Sequence, residues 1–220
     1  MKKAFTLAVY MLLMIPAFAQ LSTFGVQAGY QGYTIHGRYA DGSNFWLRPE
    51  EGFNLGVNFE FPIARNVYLQ PGIQYNQKGA NFDDYQYMGT TYKGDVKLAY
   101  VEVPVNFLFK PRVGRGRLIV GGGPYLGRGL GREAGIDPTI YHVRFDEDVT
   151  TQQVNSMPFY FRPWDAGANI VAGYQFPRNL YVQLNGQVGM KRINPSVDGR
   201  WEGKNKHRNI GAGLSFGYRF

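Results

Sequence analysis

Residues 209–220 read Asn209-Ile210-Gly211-Ala212-Gly213-Leu214-Ser215-Phe216-Gly217-Tyr218-Arg219-Phe220. Ile210, Ala212, Leu214, Phe216, Tyr218 and Phe220 fall on every second position, and small or polar residues fill the positions between. A period of two sends successive side chains to opposite faces of a strand. This strand therefore has one wholly apolar face, and it ends the chain on an aromatic ring.

The same alternation recurs upstream. Strands are predicted over 23–33, 52–61, 67–76, 98–109, 117–126, 165–176 and 180–190, with 209–220 as the eighth. In the second, Phe53, Leu55, Val57, Phe59 and Phe61 oppose Asn54, Gly56, Asn58 and Glu60. In the fourth, Ala99, Val101, Val103, Val105, Phe107 and Phe109 oppose Tyr100, Glu102, Pro104, Asn106 and Leu108. The fifth is glycine-rich and its facing stays ambiguous. Short turns at 62–66, 110–115 and 177–179 alternate with long connections near 34–51, 79–96, 127–163 and 191–206. Pro71, Pro104 and Pro124 lie inside strands, where each removes a ladder donor, so each is expected to mark a bulge or kink.

Strict alternation of long and short connections predicts an all-β fold, an eight-stranded antiparallel up-and-down transmembrane β-barrel. The inverse arrangement, a soluble barrel with its apolar face inward, fits less well. The polar faces hold Gln, Asn, Gly, Ser and Tyr with single charges such as Glu60, Glu102 and Arg219, whereas a water-facing surface of that size carries many more Lys and Glu. An eight-stranded interior is also only just wide enough for its own side chains and has no room for so many Phe, Tyr, Leu and Val. The apolar sets of the seven strands with a clear facing contain no charge, and a charge there costs about 2–4 kcal/mol at the bilayer midplane. Phe61, Phe109, Phe176, Tyr218 and Phe220 gather at the turn-side ends, as an aromatic girdle requires.

The start of the chain reads as a targeting segment. Lys2 and Lys3 precede a short apolar run, Pro16 breaks it, and Ala17-Phe18-Ala19 supplies a cleavage pattern. Residues 1–19 are expected to be a cleaved secretory signal, leaving 20–220 as one barrel domain in the outer membrane. Both termini and the short turns then face the periplasm, and the long loops face outside. The absence of Cys excludes a disulfide framework, thiolate metal sites and cysteine-linked lipid. The formal charge of +8 points to anionic lipid rather than to nucleic acid in an exported chain.

Two groups of residues stand out as candidate sites. Glu102 faces inward near mid-strand, where a lone carboxylate is costly, and Lys78 and Arg219 are its candidate partners in an interior polar network. Lys191, Arg192, Arg200, Lys204, Lys206 and Arg208 crowd the last long loop, opposed only by Asp198 and Glu202, and suit the phosphates of lipopolysaccharide. The aromatic end at Phe220 looks like the terminal signal that outer-membrane barrels present to the barrel-insertion machinery.

Ala99-Tyr100-Val101-Glu102-Val103-Pro104-Val105, Gly123-Pro124-Tyr125, Asp165 at the start of a Gly-rich strand and Gly217-Tyr218-Arg219-Phe220 together resemble the PorT-like outer-membrane β-barrel family of Bacteroidetes. The resemblance covers nearly all of the mature chain. It implies an eight-stranded outer-membrane barrel. Most such proteins have no assigned activity, while PorT itself is a secretion accessory. The long third loop of this chain departs from that pattern.

No catalytic, cofactor-binding or metal-binding residue is assigned. The glycine-rich stretch 121–131 lacks the Lys-Ser/Thr and the helix of a phosphate loop. His36, His142 and His207 have no pair at metal-ligand spacing, and nothing in the spacing joins His207 to Ser196 or Ser43 as a hydrolase would need. The reading that follows is a non-catalytic structural or interaction protein of the envelope. A small-solute channel and a lipid-modifying enzyme stand as alternatives.

Overall fold

The computed structural model describes residues 23–38, 42–87, 90–136, 139–156, 159–200 and 206–220. The expected signal segment, residues 1–19, lies outside them. The elements in chain order are β1 (Thr23–Arg38), β2 (Asn44–Trp46), β3 (Arg48–Ala64), β4 (Val67–Tyr87), β5 (Thr90–Phe109), β6 (Arg112–Val113), β7 (Gly116–Ile136), β8 (Thr139–Phe145), β9 (Asp148–Val149), α1 (Thr151–Ser156), β10 (Tyr160–Phe161), β11 (Trp164–Gln175), β12 (Leu180–Gly189), β13 (Ser196–Val197) and β14 (Lys206–Arg219).

Eight of these strands close on themselves. The ladder runs β1-β3-β4-β5-β7-β11-β12-β14 and returns to β1, with every neighbouring pair antiparallel. Closure leaves the ring without an edge, so its backbone groups pair within it. The three tight turns use residues that tolerate left-handed backbone: Asn66 at φ 62°, Gly114 at φ 60° and Asn179 at φ 62°.

The apolar face points outward. Leu55, Ile73, Phe107, Ile170, Leu184 and Phe216 are exposed on the outer wall, whereas Asn54, Asn76, Glu102, Gln183 and Ser215 are buried within. β7 takes its place with Leu118, Val120 and Leu126 outward and with Ile119 and Tyr125 inward, which fixes the strand whose facing the sequence left ambiguous. Gly121 and Gly123 also face inward, and a Cβ at either would run into the carbonyl oxygens of Phe107 and Val105. The glycines thus allow β5 and β7 to approach closely.

The staves are longer than the sequence pattern suggests. β4, β5 and β7 have 21, 20 and 21 residues, whereas about 9–11 suffice to cross a bilayer. The stretch 79–96, expected to be loop, is mostly strand, and so is much of 127–163, which carries the upper part of β7 together with β8, β9, α1 and β10. The prolines correct a second expectation. The β4–β5 ladder lapses after Pro71↔Val105 and resumes at Gln74↔Glu102 in the same register. The β5–β7 ladder passes Pro104↔Tyr125 unshifted, and the β7–β11 ladder passes Pro124↔Ala168 unshifted. A proline removes one donor, and here the ladder opens locally without a register change. The shifts fall instead at Pro49/Asn54, Pro62/Ala64, Phe82/Tyr85 and Ala99/Tyr100.

The loop end of the ring holds its largest apolar cluster. Val143, Phe159, Phe161 and Ile193 come in from the third and fourth connections and pack with Ile35, Ala80, Val96, Leu98, Tyr100 and Ala134 of the ring. This cluster closes the mouth. Above it the two connections are tied together by the parallel pair β9–β13.

Candidate functional site

Inward-facing positions meet across a narrow bore, so a charge buried there needs a protein partner. Two ionic clusters result. In the upper one Lys78 of β4 places its Nζ 2.6 Å from Glu102 Oε1 and 2.9 Å from Asp165 Oδ2. Asn76 Nδ2 and Gln187 Nε2 donate to Glu102 Oε2 at 2.6 and 2.9 Å, and Asn209 Nδ2 donates to Asp165 Oδ2 at 2.9 Å. The rings of Tyr33, Tyr100 and Tyr125 lie 5.0, 5.3 and 4.6 Å from the ammonium, each adding cation–π attraction.

The lower cluster sits at the short-turn end. Glu60 receives Lys110 Nζ at 2.6 Å and Arg219 Nη2 at 2.7 Å. Arg219 Nη1 also donates to Asn58 Oδ1 at 2.6 Å, and the guanidinium lies 5.2 Å from the Tyr181 ring. Between the clusters runs a layer of amides, with Asn54 Nδ2 donating to Gln31 Oε1 at 3.0 Å and Ser215 Oγ to Asn54 Oδ1 at 3.1 Å. A cavity of about 40 Å³ lies among Gln27, Gln70, Asn106, Gln183 and Asn185, and at about 10–15 Å³ per water such a space takes a few waters.

The structure thus joins Lys78 to Glu102 and assigns Arg219 elsewhere, to Glu60. Arg219 is taken up by Glu60 and Asn58 at the short-turn end, with a layer of amides between it and Glu102. Spacing alone did not single out Asp165, Glu60 or Lys110. Lys110 was legible by parity, because it continues the inward series of Tyr100, Glu102, Pro104, Asn106 and Leu108. Asp165 starts its strand on the inward side in the same way.

The basic loop is dispersed. Arg200 and Lys206 are exposed, Lys191, Arg192 and Arg208 are half-buried, and Lys204 lies outside the described residues. Arg208 stands opposite His36 on β1, whose ring is 4.1 Å from Trp46. Arg192 does not share that outward position: it sits close enough to Arg162 and His207 to interact electrostatically with both. Burial, with a smaller contribution from Arg192, holds the His207 imidazole down at about 4. Its ring meets the edge of Phe45 at 5.0 Å, while Ser196 Oγ donates to Asp148 Oδ1 at 2.8 Å. His207 and Ser196 are therefore engaged apart from each other. Among the described residues no group of three or more His, Cys, Asp or Glu is placed to hold a metal ion, and no helix is long and apolar enough to cross a membrane.

A closed ring of antiparallel strands with an apolar outer wall and an ion-paired interior is the arrangement of a membrane β-barrel. Residues 18–194 match the family described as outer membrane protein beta-barrel domain, and the chain belongs to that family. No curated protein matches the chain. Among solved structures the chain is similar to Ail, the attachment invasion locus protein of Yersinia pestis, at 14% identity over 90% of this chain and 99% of that one, with a TM-score of 0.44. It is similar to Neisserial surface protein A at 11% identity over 90% and 97%, with a TM-score of 0.45. It is also similar to the outer membrane protease OmpT from Escherichia coli, at 11% identity over 90% and 97%, with a TM-score of 0.41.

Proposed function

We propose that this protein is a closed, non-catalytic eight-stranded transmembrane barrel of the outer membrane, with a structural or interaction role in the cell envelope. The observation that carries the reading is the bridge from Lys78 to both Glu102 and Asp165, which spans the bore from β4 to β5 and β11. A buried carboxylate pair held by one ammonium cannot part for a passing solute without leaving charge unpaired in low dielectric, and the apolar cluster at the mouth closes the same path a second time. A small-solute channel has only the cavity of about 40 Å³ in its favour, and that cavity lies between the two ionic clusters. For a lipid-modifying enzyme, the candidate hydroxyl of Ser196 is taken up by Asp148 and the His207 ring packs against Phe45.

In this reading the signal segment is cleaved, both termini and the short turns are periplasmic, and the insertion machinery reads the strand that ends at Phe220. The third and fourth connections form an outer platform for an envelope partner, in keeping with a PorT-like accessory role in secretion or envelope assembly. Lys191, Arg200, Lys206 and Arg208, together with Arg192 and Lys204, bring the outer end to lipopolysaccharide phosphates. Planar-bilayer recording of the purified wild-type protein tests the central point. Silent bilayers are expected, and stable unitary conductance would sink the closed-barrel reading. Lys206→Gln/Arg208→Gln is expected to lower co-purified lipopolysaccharide, and unchanged retention would reduce those cations to a solvated loop.

A further inference from the structure

Among the described residues the exposed charged side chains of the short-turn end are all basic. Lys110-Pro111-Arg112-Val113-Gly114-Arg115-Gly116-Arg117 forms a hairpin in which β6 pairs with the start of β7, and Arg112 stands directly opposite Arg117. Like charges set opposite one another in a ladder are destabilising, and Arg115 adds a third guanidinium at the tip. The hairpin is nonetheless fixed in place: Tyr174 donates to the Val113 carbonyl at 2.8 Å, and Arg117 donates to the Tyr68 hydroxyl. The Lys110 amide donates to the Asn66 carbonyl at 2.7 Å, which ties this hairpin to the turn bearing Arg65. Arg178 projects from the remaining turn.

Arg65, Arg112, Arg115 and Arg178 are all exposed. The side-chain carboxylate at this end is Glu60, which is buried and held by Lys110 and Arg219. Among the described residues no acidic side chain pairs with the four exposed arginines. Ile63, Val113 and Phe176 are exposed beside them, each about half-open, and Phe220 is more open still. Arginines interleaved with outward apolar side chains match a boundary where acyl chains meet phosphate, and they do not match a purely aqueous acidic surface. The guanidinium fork grips phosphate oxygens in pairs, and the forks open to solvent at this rim are those of Arg65, Arg112, Arg115 and Arg178, since Arg117 lies on the inward face of β7 with the Tyr68 hydroxyl.

We infer that this rim binds the anionic headgroups of phospholipids, with Arg112 and Arg115 of the hairpin as the principal site. The assignment to the periplasmic leaflet rests on the orientation proposed above, while the headgroup site itself does not.

The test is reconstitution of the full chain in nanodiscs of phosphatidylcholine with a minor share of phosphatidylglycerol, followed by native mass spectrometry of the retained lipid. Wild-type protein is expected to retain phosphatidylglycerol preferentially. Arg112→Gln/Arg115→Gln is expected to lose that preference by about five-fold per arginine at low salt, and less at physiological salt. Lys206→Gln/Arg208→Gln at the opposite rim is expected to keep it. Heat-modifiable migration on gels confirms that each variant is folded. Equal phosphatidylglycerol retention by wild type and Arg112→Gln/Arg115→Gln overturns the site. So does binding of poly-glutamate without any lipid preference, which would make the rim an acidic-protein dock. Labelling of Arg115→Cys from outside intact cells overturns the leaflet assignment alone.

Discussion

Asp165 on β11 accepts from Lys78 on β4 at 2.9 Å across the bore, although β11 lies three places round the ring from β4. Glu102 on the neighbouring stave takes the same ammonium at 2.6 Å. One cation therefore offsets two carboxylates, and all three side chains are shut away from water.

Removing Lys78 leaves both carboxylates facing each other in low dielectric. Lys78→Met is expected to cost about 3–5 kcal/mol of stability, the usual loss when one partner of a buried pair goes. Lys78→Met/Glu102→Gln/Asp165→Asn removes the charges together and is expected to recover most of that loss. Urea unfolding in phospholipid vesicles measures both. A Lys78→Met protein as stable as wild type would show that the bridge contributes nothing.

The lower cluster has the opposite stoichiometry, with Glu60 between Lys110 and Arg219. Glu60→Gln leaves two cations side by side, at a cost of about 3–5 kcal/mol. Arg219→Gln leaves the neutral pair Glu60–Lys110 and costs about 1–3 kcal/mol, the price of a lost charged hydrogen bond. The order of the two variants in the same unfolding assay is the check, and a reversed order would contradict this assignment of charges.

The ring and its facing were legible in the sequence because lipid imposes a strict period of two wherever a stave crosses it. Val101, Val103, Val105 and Phe107 show that period, and all four face outward. The rule lapses beyond the bilayer. Around residues 79–96 both faces of β4 and β5 leave the apolar band, so the alternation fades and strand reads as loop. The interior was legible only in part. Parity places Glu102, Lys78 and Lys110 inside, yet which of them meet is decided by strand tilt and stagger, which put Lys78 beside Glu102 and Asp165 and leave Arg219 with Glu60. The apolar mouth was hidden because Phe159, Phe161 and Ile193 come from irregular connections with no period to read.

Orientation is tested by surface labelling. Single cysteines at Asn44, Glu147 or Arg200 are expected to react with an impermeant maleimide on intact cells, whereas those at Arg65, Arg115 or Arg178 are expected to react only after the envelope is opened. All six native side chains are exposed, so burial does not bias the comparison. The reverse pattern would invert the barrel.

The third and fourth connections carry an acid-sensitive tie. Asp198, at φ 49°, accepts from both the backbone N–H and the hydroxyl of Thr151 at the start of α1. Asp148 answers from the other connection, accepting from Ser196 Oγ at 2.8 Å and from the Gly199 amide at 3.0 Å. Thr150 and Gln153 close a capping box over the same helix end, with the Thr150 N–H donating to Gln153 Oε1 at 2.7 Å and the Gln153 N–H to Thr150 Oγ1 at 3.3 Å. The Thr151 hydroxyl first, and then its N–H, hold the Asp198 carboxyl below its ordinary value of 3.8, and Arg200 adds a smaller pull in the same direction. A carboxyl with a lowered folded value contributes its full stabilisation above the ordinary value and loses it as pH falls through the lowered one. The tie is therefore expected to hold from neutral pH down through mild acid and to release only below the ordinary carboxylate range. Asn tolerates left-handed backbone as Asp does, so Asp198→Asn removes the charge without straining the turn. That variant is expected to loosen α1 at neutral pH as strong acid loosens the wild type. Spin labels at Asn155 on α1 and at Lys191, whose amide is fixed to the Ala166 carbonyl at 3.0 Å, report the separation. A distance distribution in Asp198→Asn that matches wild type at neutral pH, or a wild-type distribution that broadens already at pH 6, would show that Asp198 does not hold the two connections together.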